Sequence, residues 1–104
     1  MNLFHPLPNA LAEEVVDDLL TGSQFRVERI VSKGQQSPAD FWYEQAEHEW
    51  VVVLKGHARL QYTHGEEVEL KAGDTLNIPA YTKHRVSYTD KEVETIWLAI
   101  FYNN

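Results

Sequence analysis

Cysteine is absent from this chain of 104 residues. That excludes disulfides, thiolate metal sites and cysteine nucleophiles, so any metal must be held by histidine, carboxylate, amide or water. Positive charge is scarce. Nine Lys and Arg stand against 16 Asp and Glu, a net charge of −7. Nucleic acids and anionic membrane surfaces call for clustered Lys and Arg, so neither is expected as a partner. Long apolar runs are also missing. The run "IWLAIFY" (96–102) is far short of the roughly 20 residues that span a bilayer. The start, "MNLFHPLPNALAEEVV", has no basic region ahead of an apolar stretch, so no secretory leader is expected and the cytoplasm is the default compartment.

What is present is ordinary for a soluble globular chain, 43% apolar and 24% charged. The length predicts one domain with one modest core. Residues 1–9 read as irregular, because Pro6 and Pro8 block a helix. In "ALAEEVVDDLL", Ala12, Val15, Val16, Leu19 and Leu20 recur at three- and four-residue intervals. This spacing predicts a short helix that packs on the core, capped by Asn9, with Gly22 just past its end. Glu13 and Glu14 would lie in its first turns, where the helix dipole favours anions.

From residue 25 the texture changes. "FRVERIVSKG" alternates Phe25, Val27 and Arg29 against Arg26, Glu28 and Ile30, a strand pattern. Further short segments rich in Val, Ile, Thr and aromatics follow, punctuated by Gly56, His64-Gly65 and Gly73-Asp74. Seven or eight strands at about ten-residue spacing predict an all-β sandwich or barrel. The chain divides into an N-terminal segment over 1–24 and a barrel over 25–104. "WVVVL" (50–54) and "IWLAIFY" are apolar on both faces. The helix would cover one such strand and a second subunit the other, so a homodimer is expected. No internal repeat, linker or low-complexity tract is visible.

Two spacings carry the chemistry. In "EWVVVLKG", Glu49 precedes Gly56 by seven positions; in "GDTLNIPAYTKHRV", Gly73, Pro79, Tyr81 and His84 follow in order. A metal site inside a barrel needs donors pointing inward from neighbouring strands, where inward positions recur with period two. Glycines allow the tight turns, and Pro79 fixes an extended bend ahead of the histidine.

This order resembles the cupin superfamily, small β-barrels with the motifs G-x5-H-x-H-x3/4-E-x6-G and G-x5-P-x-G-x2-H-x3-N. The resemblance covers residues 25–102 and implies a double-stranded β-helix, or jelly roll. Glu49 and Gly56 match the second half of motif one; Gly73, Pro79 and His84 match motif two. The paired histidines are absent. A four-residue gap before Glu49 puts Trp42 and Glu44 at their places, and a three-residue gap puts Tyr43 and Gln45 there. Tyr81 replaces the motif-two glycine and Tyr88 the asparagine.

The resemblance implies Glu49 and His84 as metal ligands. Glu44 is chemically able to replace a histidine, and Gln45 is a weaker oxygen donor. An oxygen-rich set suits Mn²⁺ or Fe²⁺ and accepts Zn²⁺ or Ni²⁺ with waters; the other alternative is a metal-free barrel. His48, adjacent to Glu49, points the other way on a regular strand unless a bulge intervenes. His5, His57 and His64 read as solvated. Trp42 and Tyr81 are expected to narrow the mouth and line the substrate pocket.

Three functions remain open on these residues. The first is a metal-dependent enzyme of the dioxygenase, isomerase or decarboxylase kind acting on a small oxygenated molecule. In it Glu44 serves as ligand or base, and Tyr43 or Tyr81 as acid. The second is a non-catalytic barrel that binds a small ligand. The third is a structural homodimeric barrel filled by side chains.

Overall fold

The computed structural model describes residues 1–8 and 12–103. Its strands are β1 (Val15–Thr21), β2 (Phe25–Ser32), β3 (His48–Lys55), β4 (His57–Tyr62), β5 (Glu67–Lys71), β6 (Thr75–Ile78), β7 (His84–Thr89) and β8 (Thr95–Tyr102). They form a five-stranded sheet in the order β1-β2-β8-β3-β6 and a three-stranded sheet in the order β5-β4-β7. Every strand pair is antiparallel.

Period-two alternation sets the core. Val51 and Val53 of β3 lie opposite Ala99 and Trp97 of β8 and are buried with them. From the other sheet, Ala58, Leu60 and Leu70 close on this layer. The outward residues of the same central strands, Trp50, Val52, Leu98 and Ile100, are half-buried. The turn between β3 and β4 depends on Gly56. Its φ is 94°, and a Cβ there would meet Thr95 Cα at 2.6 Å and the Glu94 carbonyl oxygen at 2.8 Å.

The expected N-terminal helix is corrected to a strand. Val15–Thr21 is β1, which pairs with β2 from Val15↔Val31 to Thr21↔Arg26. The apolar positions that fit a helical stripe also fit an edge strand. The β-branched pair Val15-Val16 favours the strand. An isolated helix this short is marginal, whereas the open edge of β2 offers a full ladder of hydrogen bonds. Arg29 gives a further reason. It is 6% exposed on β2 and its guanidinium needs Asp17, which it reaches at 2.6 Å only when β1 lies alongside. Gly22 is therefore a hairpin residue, its amide bonded to the Phe25 carbonyl at 2.8 Å, and not a helix end. The proposed Asn9 cap lies outside the described residues. No helix among the described residues is long and apolar enough to cross a membrane.

The loop between β2 and β3 docks along the outer edge of β7. Ser37 and Val86 share a backbone bond at 2.8 Å, and Tyr43 and His84 exchange two, at 2.7 and 3.0 Å. This loop brings residues 43–45 to one end of the barrel.

Candidate functional site

Glu49 continues the inward row of Val51 and Val53 by one step, which carries it out of the apolar layer to the barrel end. It lies opposite Phe101 on β8 and Ile78 on β6. His84 starts β7 two residues before inward-facing Val86. The two side chains meet across the space between the sheets, His84 Nε2 lying 3.5 Å from Glu49 Oε1. Both are well shielded, with side-chain exposures of 5% for His84 and 14% for Glu49.

The remaining contacts fix the histidine. Its Nδ1 lies 2.8 Å from the Thr82 carbonyl oxygen. A carbonyl can only accept, so Nδ1 carries the proton and donates. The Nε2 lone pair then faces the cavity and Glu49. A lone pair beside a carboxylate is unfavourable, and a second proton turns repulsion into an ion pair. Burial, the largest influence, pushes the His84 pKa down. The hydrogen bond to Glu49, the Thr82 carbonyl and the Glu49 charge together outweigh it, so His84 is held above the ordinary histidine value. Gln45 completes the polar end, its Nε2 donating to Glu49 Oε1 at 3.2 Å.

These groups open onto a cavity of about 280 Å³, near the lower end of the range for small-molecule sites. Its apolar wall includes Ile30, Leu60, Val86, Trp97 and Phe101. Tyr43 forms part of the rim, its ring stacked on His84 with centroids 5.7 Å apart and edge-on to Phe41 at 4.8 Å. Burial, and then the negative charge of Glu14, raise the Tyr43 pKa, so this phenol stays protonated at neutral pH.

The residues singled out from sequence separate into two groups. Glu49, His84, Tyr43 and Gln45 all line the cavity. Tyr43 and Gln45 are the pair given by the three-residue gap. Glu44 and Trp42 alternate with it and lie outside the wall. Glu44 is exposed, and Trp42 has the Arg85 guanidinium 6.0 Å from its ring centre. Tyr81 also lies outside, 68% exposed. Its φ is 63°, so it occupies with a side chain a backbone conformation that the motif reserves for glycine. His48 sits on the opposite face from Glu49 and accepts the Ala80 amide at 3.0 Å.

Three lining residues escaped the sequence reading: Glu14, Arg26 and Glu28. Arg26 and Glu28 alternate with Val27 along β2, so period two contained their signal. Glu14 had none, because the helix reading placed it elsewhere. Although Glu14 is exposed as a residue, its carboxylate reaches inward and accepts from Ser32 Oγ at 3.0 Å. Ser32 in turn accepts from Trp97 Nε1 at 3.2 Å. The Glu14 pKa is raised by loss of hydration and further by Glu49, against the Ser32 hydroxyl, which lowers it.

For a resident metal this donor set is thin. Glu49 and His84 are sound ligands, and the Gln45 amide is a weak third. Among the described residues no three of His, Cys, Asp and Glu converge as an ion would require. A catalytic metal site uses three protein ligands and keeps a position open.

The model of the cupin domain matches residues 27–101. Among solved structures, a provisionally named mannose-6-phosphate isomerase from Ralstonia eutropha JMP134 is 36% identical, with TM-score 0.95 over 100% of this chain and 97% of that one. An RmlC-like cupin from Desulfovibrio desulfuricans is 18% identical, with TM-score 0.76 over 97% and 93%. A cupin superfamily protein from Desulfitobacterium hafniense DCB-2 is 15% identical, with TM-score 0.77 over 94% and 84%. No curated protein matches.

Proposed function

The chain belongs to the cupin family, and from that premise we propose that its cavity binds a small oxygenated molecule with which the His84–Glu49 pair exchanges a proton. The observation that carries this reading is the pair itself: a shielded imidazole, oriented by Thr82, whose reactive nitrogen faces both a carboxylate and the cavity. Neutral His84 accepts a proton at Nε2, and Glu49 stabilises the imidazolium that results. Tyr43, protonated on the rim beside the ring, is placed to donate to an oxygen of the ligand. A base and an acid at one cavity serve proton transfer next to a carbonyl, the chemistry an aldose–ketose isomerase needs. The name of the 36% identical structure supports that reaction class.

The test is exchange of the C2 hydrogen of mannose with deuterated solvent, followed by NMR with chelator present. We expect exchange above the buffer rate, lost in His84→Gln and reduced in Tyr43→Phe. Exchange at the buffer rate for wild type, with no mannose-dependent shift of cavity resonances, would reject the proposal.

A second reading keeps a divalent ion, Mn²⁺, Fe²⁺, Ni²⁺ or Zn²⁺, on Glu49 and His84 with Gln45. The fixed Nδ1 donor, which aims Nε2 as second-shell contacts aim metal-bound histidines, speaks for it. Elemental analysis after purification without chelator or nickel resin separates the readings. Stoichiometric metal that disappears in Glu49→Ala would establish the ion. A second copy of the chain on Trp50, Val52, Leu98 and Ile100 would cover the apolar outer face. Light scattering reads that directly, against 12.0 kDa for one chain.

A further inference from the structure

The ligand's charge class follows from who lines the cavity and how each charge is already used. Glu14, Glu28 and Glu49 supply three carboxylates, and Arg26 is the only Lys or Arg among the described lining residues. Arg26 is held by two carboxylates. Its Nη2 and Nε donate to Glu47 at 2.9 and 3.3 Å, and its Nη1 bonds Glu28. One face of its guanidinium lies 3.9 Å over the Phe101 ring centre. Its Nε–Nη2 edge, the parallel pair of N–H groups that best grips a phosphate, is already taken by Glu47, and its charge is shared by two carboxylates.

Glu14 and Glu49 differ from Glu28. The charge of Glu49 reaches Glu14 and raises its pKa, and among the described residues no Lys or Arg bonds to either. His84 and Gln45 both meet Glu49 at Oε1. Resting on the small-molecule reading above, we propose that this cavity selects a ligand bearing a protonated amine, seated between the Glu14 and Glu49 carboxylates, and rejects phosphorylated ligands. An ammonium has three donors that can be shared between spread acceptors. A divalent ion needs its ligands drawn within about 2–2.6 Å of one point, which the described residues do not do. The apolar wall of Leu60, Val86 and Trp97 then takes the carbon skeleton.

The experiment titrates ¹⁵N-labelled protein with three probes on one skeleton: mannose, mannosamine and mannose 6-phosphate, each at neutral pH with chelator, reading the amides around His84 and Val86. We expect mannosamine to bind about tenfold tighter than mannose, the weight of one charge-assisted hydrogen bond. Mannose 6-phosphate should bind more weakly than mannose. Glu14→Gln should lower the mannosamine advantage over mannose several-fold. Equal binding of mannosamine and mannose overturns the amine seat while leaving the small-molecule site standing. Phosphate binding at or above mannose overturns the rejection of phosphate. Silence from all three probes rejects both the seat and the site. Saturable Mn²⁺ broadening of the same amides at micromolar concentration in chelator-free buffer assigns the carboxylates to a metal and overturns the proposal.

Discussion

Replacing Glu49 by Gln should reverse the sign of the pH dependence contributed by His84. In the wild type the folded-state pKa of His84 is raised. Such a group stabilises the fold fully below its unfolded value, about 6.5, and loses that contribution as pH rises through the higher folded value. Glu49→Gln removes the anion and keeps the shape. Burial, the largest influence on this imidazole, then outweighs the remaining Thr82 carbonyl, and the folded pKa drops below the ordinary value. The variant should therefore gain stability as pH rises through the histidine range. At 3.5 Å and an effective dielectric of 20, the pair attracts by about 5 kcal/mol. Dehydration of two shielded ions offsets part of that, and breaking such a pair costs about 3 kcal/mol while the histidine is charged. Urea unfolding with chelator should show the variant about 3 kcal/mol less stable at pH 5.5 and within about 1 kcal/mol of wild type at pH 8.5. The Cε1 proton of His84 should titrate at lower pH in the variant than in the wild type. An equal cost at both pH values, or an unmoved titration, would refute the ion pair as the source of the shift.

Gly56→Ala combines left-handed strain with a Cβ driven into the Thr95 backbone, and should cost about 3 kcal/mol or more in urea unfolding. Gly65→Ala has a similar φ of 100° and open space around it, so it should cost only about 1 kcal/mol; equal costs would discount the clash. Tyr81→Gly relieves a left-handed side chain that is 68% exposed. The relief of about 1–2 kcal/mol exceeds the backbone entropy lost by about 0.5 kcal/mol, and a midpoint that falls would contradict the strain. Asp17→Asn leaves the Arg29 guanidinium with 7% exposure and the Leu3 carbonyl as a partner at 3.3 Å. Because Asp17 itself is 37% exposed, the cost should be about 1–2 kcal/mol, read as a shift in denaturation midpoint.

The strands from Phe25 onward were legible because period two, β-branched residues and turn glycines agree with one another there. Gly56 and Gly73 stand where the spacing requires, and both adopt positive φ, 94° and 92°. The segment 12–21 misled because its apolar spacing fits both periods. What decided it was the free edge of β2 and the need of Arg29 for Asp17, and neither is a local property. At the site, Glu49 and His84 were legible from spacing. The choice between Trp42/Glu44 and Tyr43/Gln45 was not, since residues 42–45 lie in a loop whose facing is set by docking on His84.

Alternation and turn chemistry act over a few residues and survive without tertiary context, so the cupin barrel from Phe25 onward, with an acid and a histidine turned inward, could be read from chain order. What surrounds that pair depends on contacts distant in the chain. Glu14 comes to the cavity because β1 pairs with β2, and Arg26 is held where Glu47, Glu28 and Phe101 converge on it. Apart from Arg26–Glu28 within β2, these contacts join residues 18 to 75 positions apart, and the cost or gain of each charge depends on neighbours that chain order does not reveal.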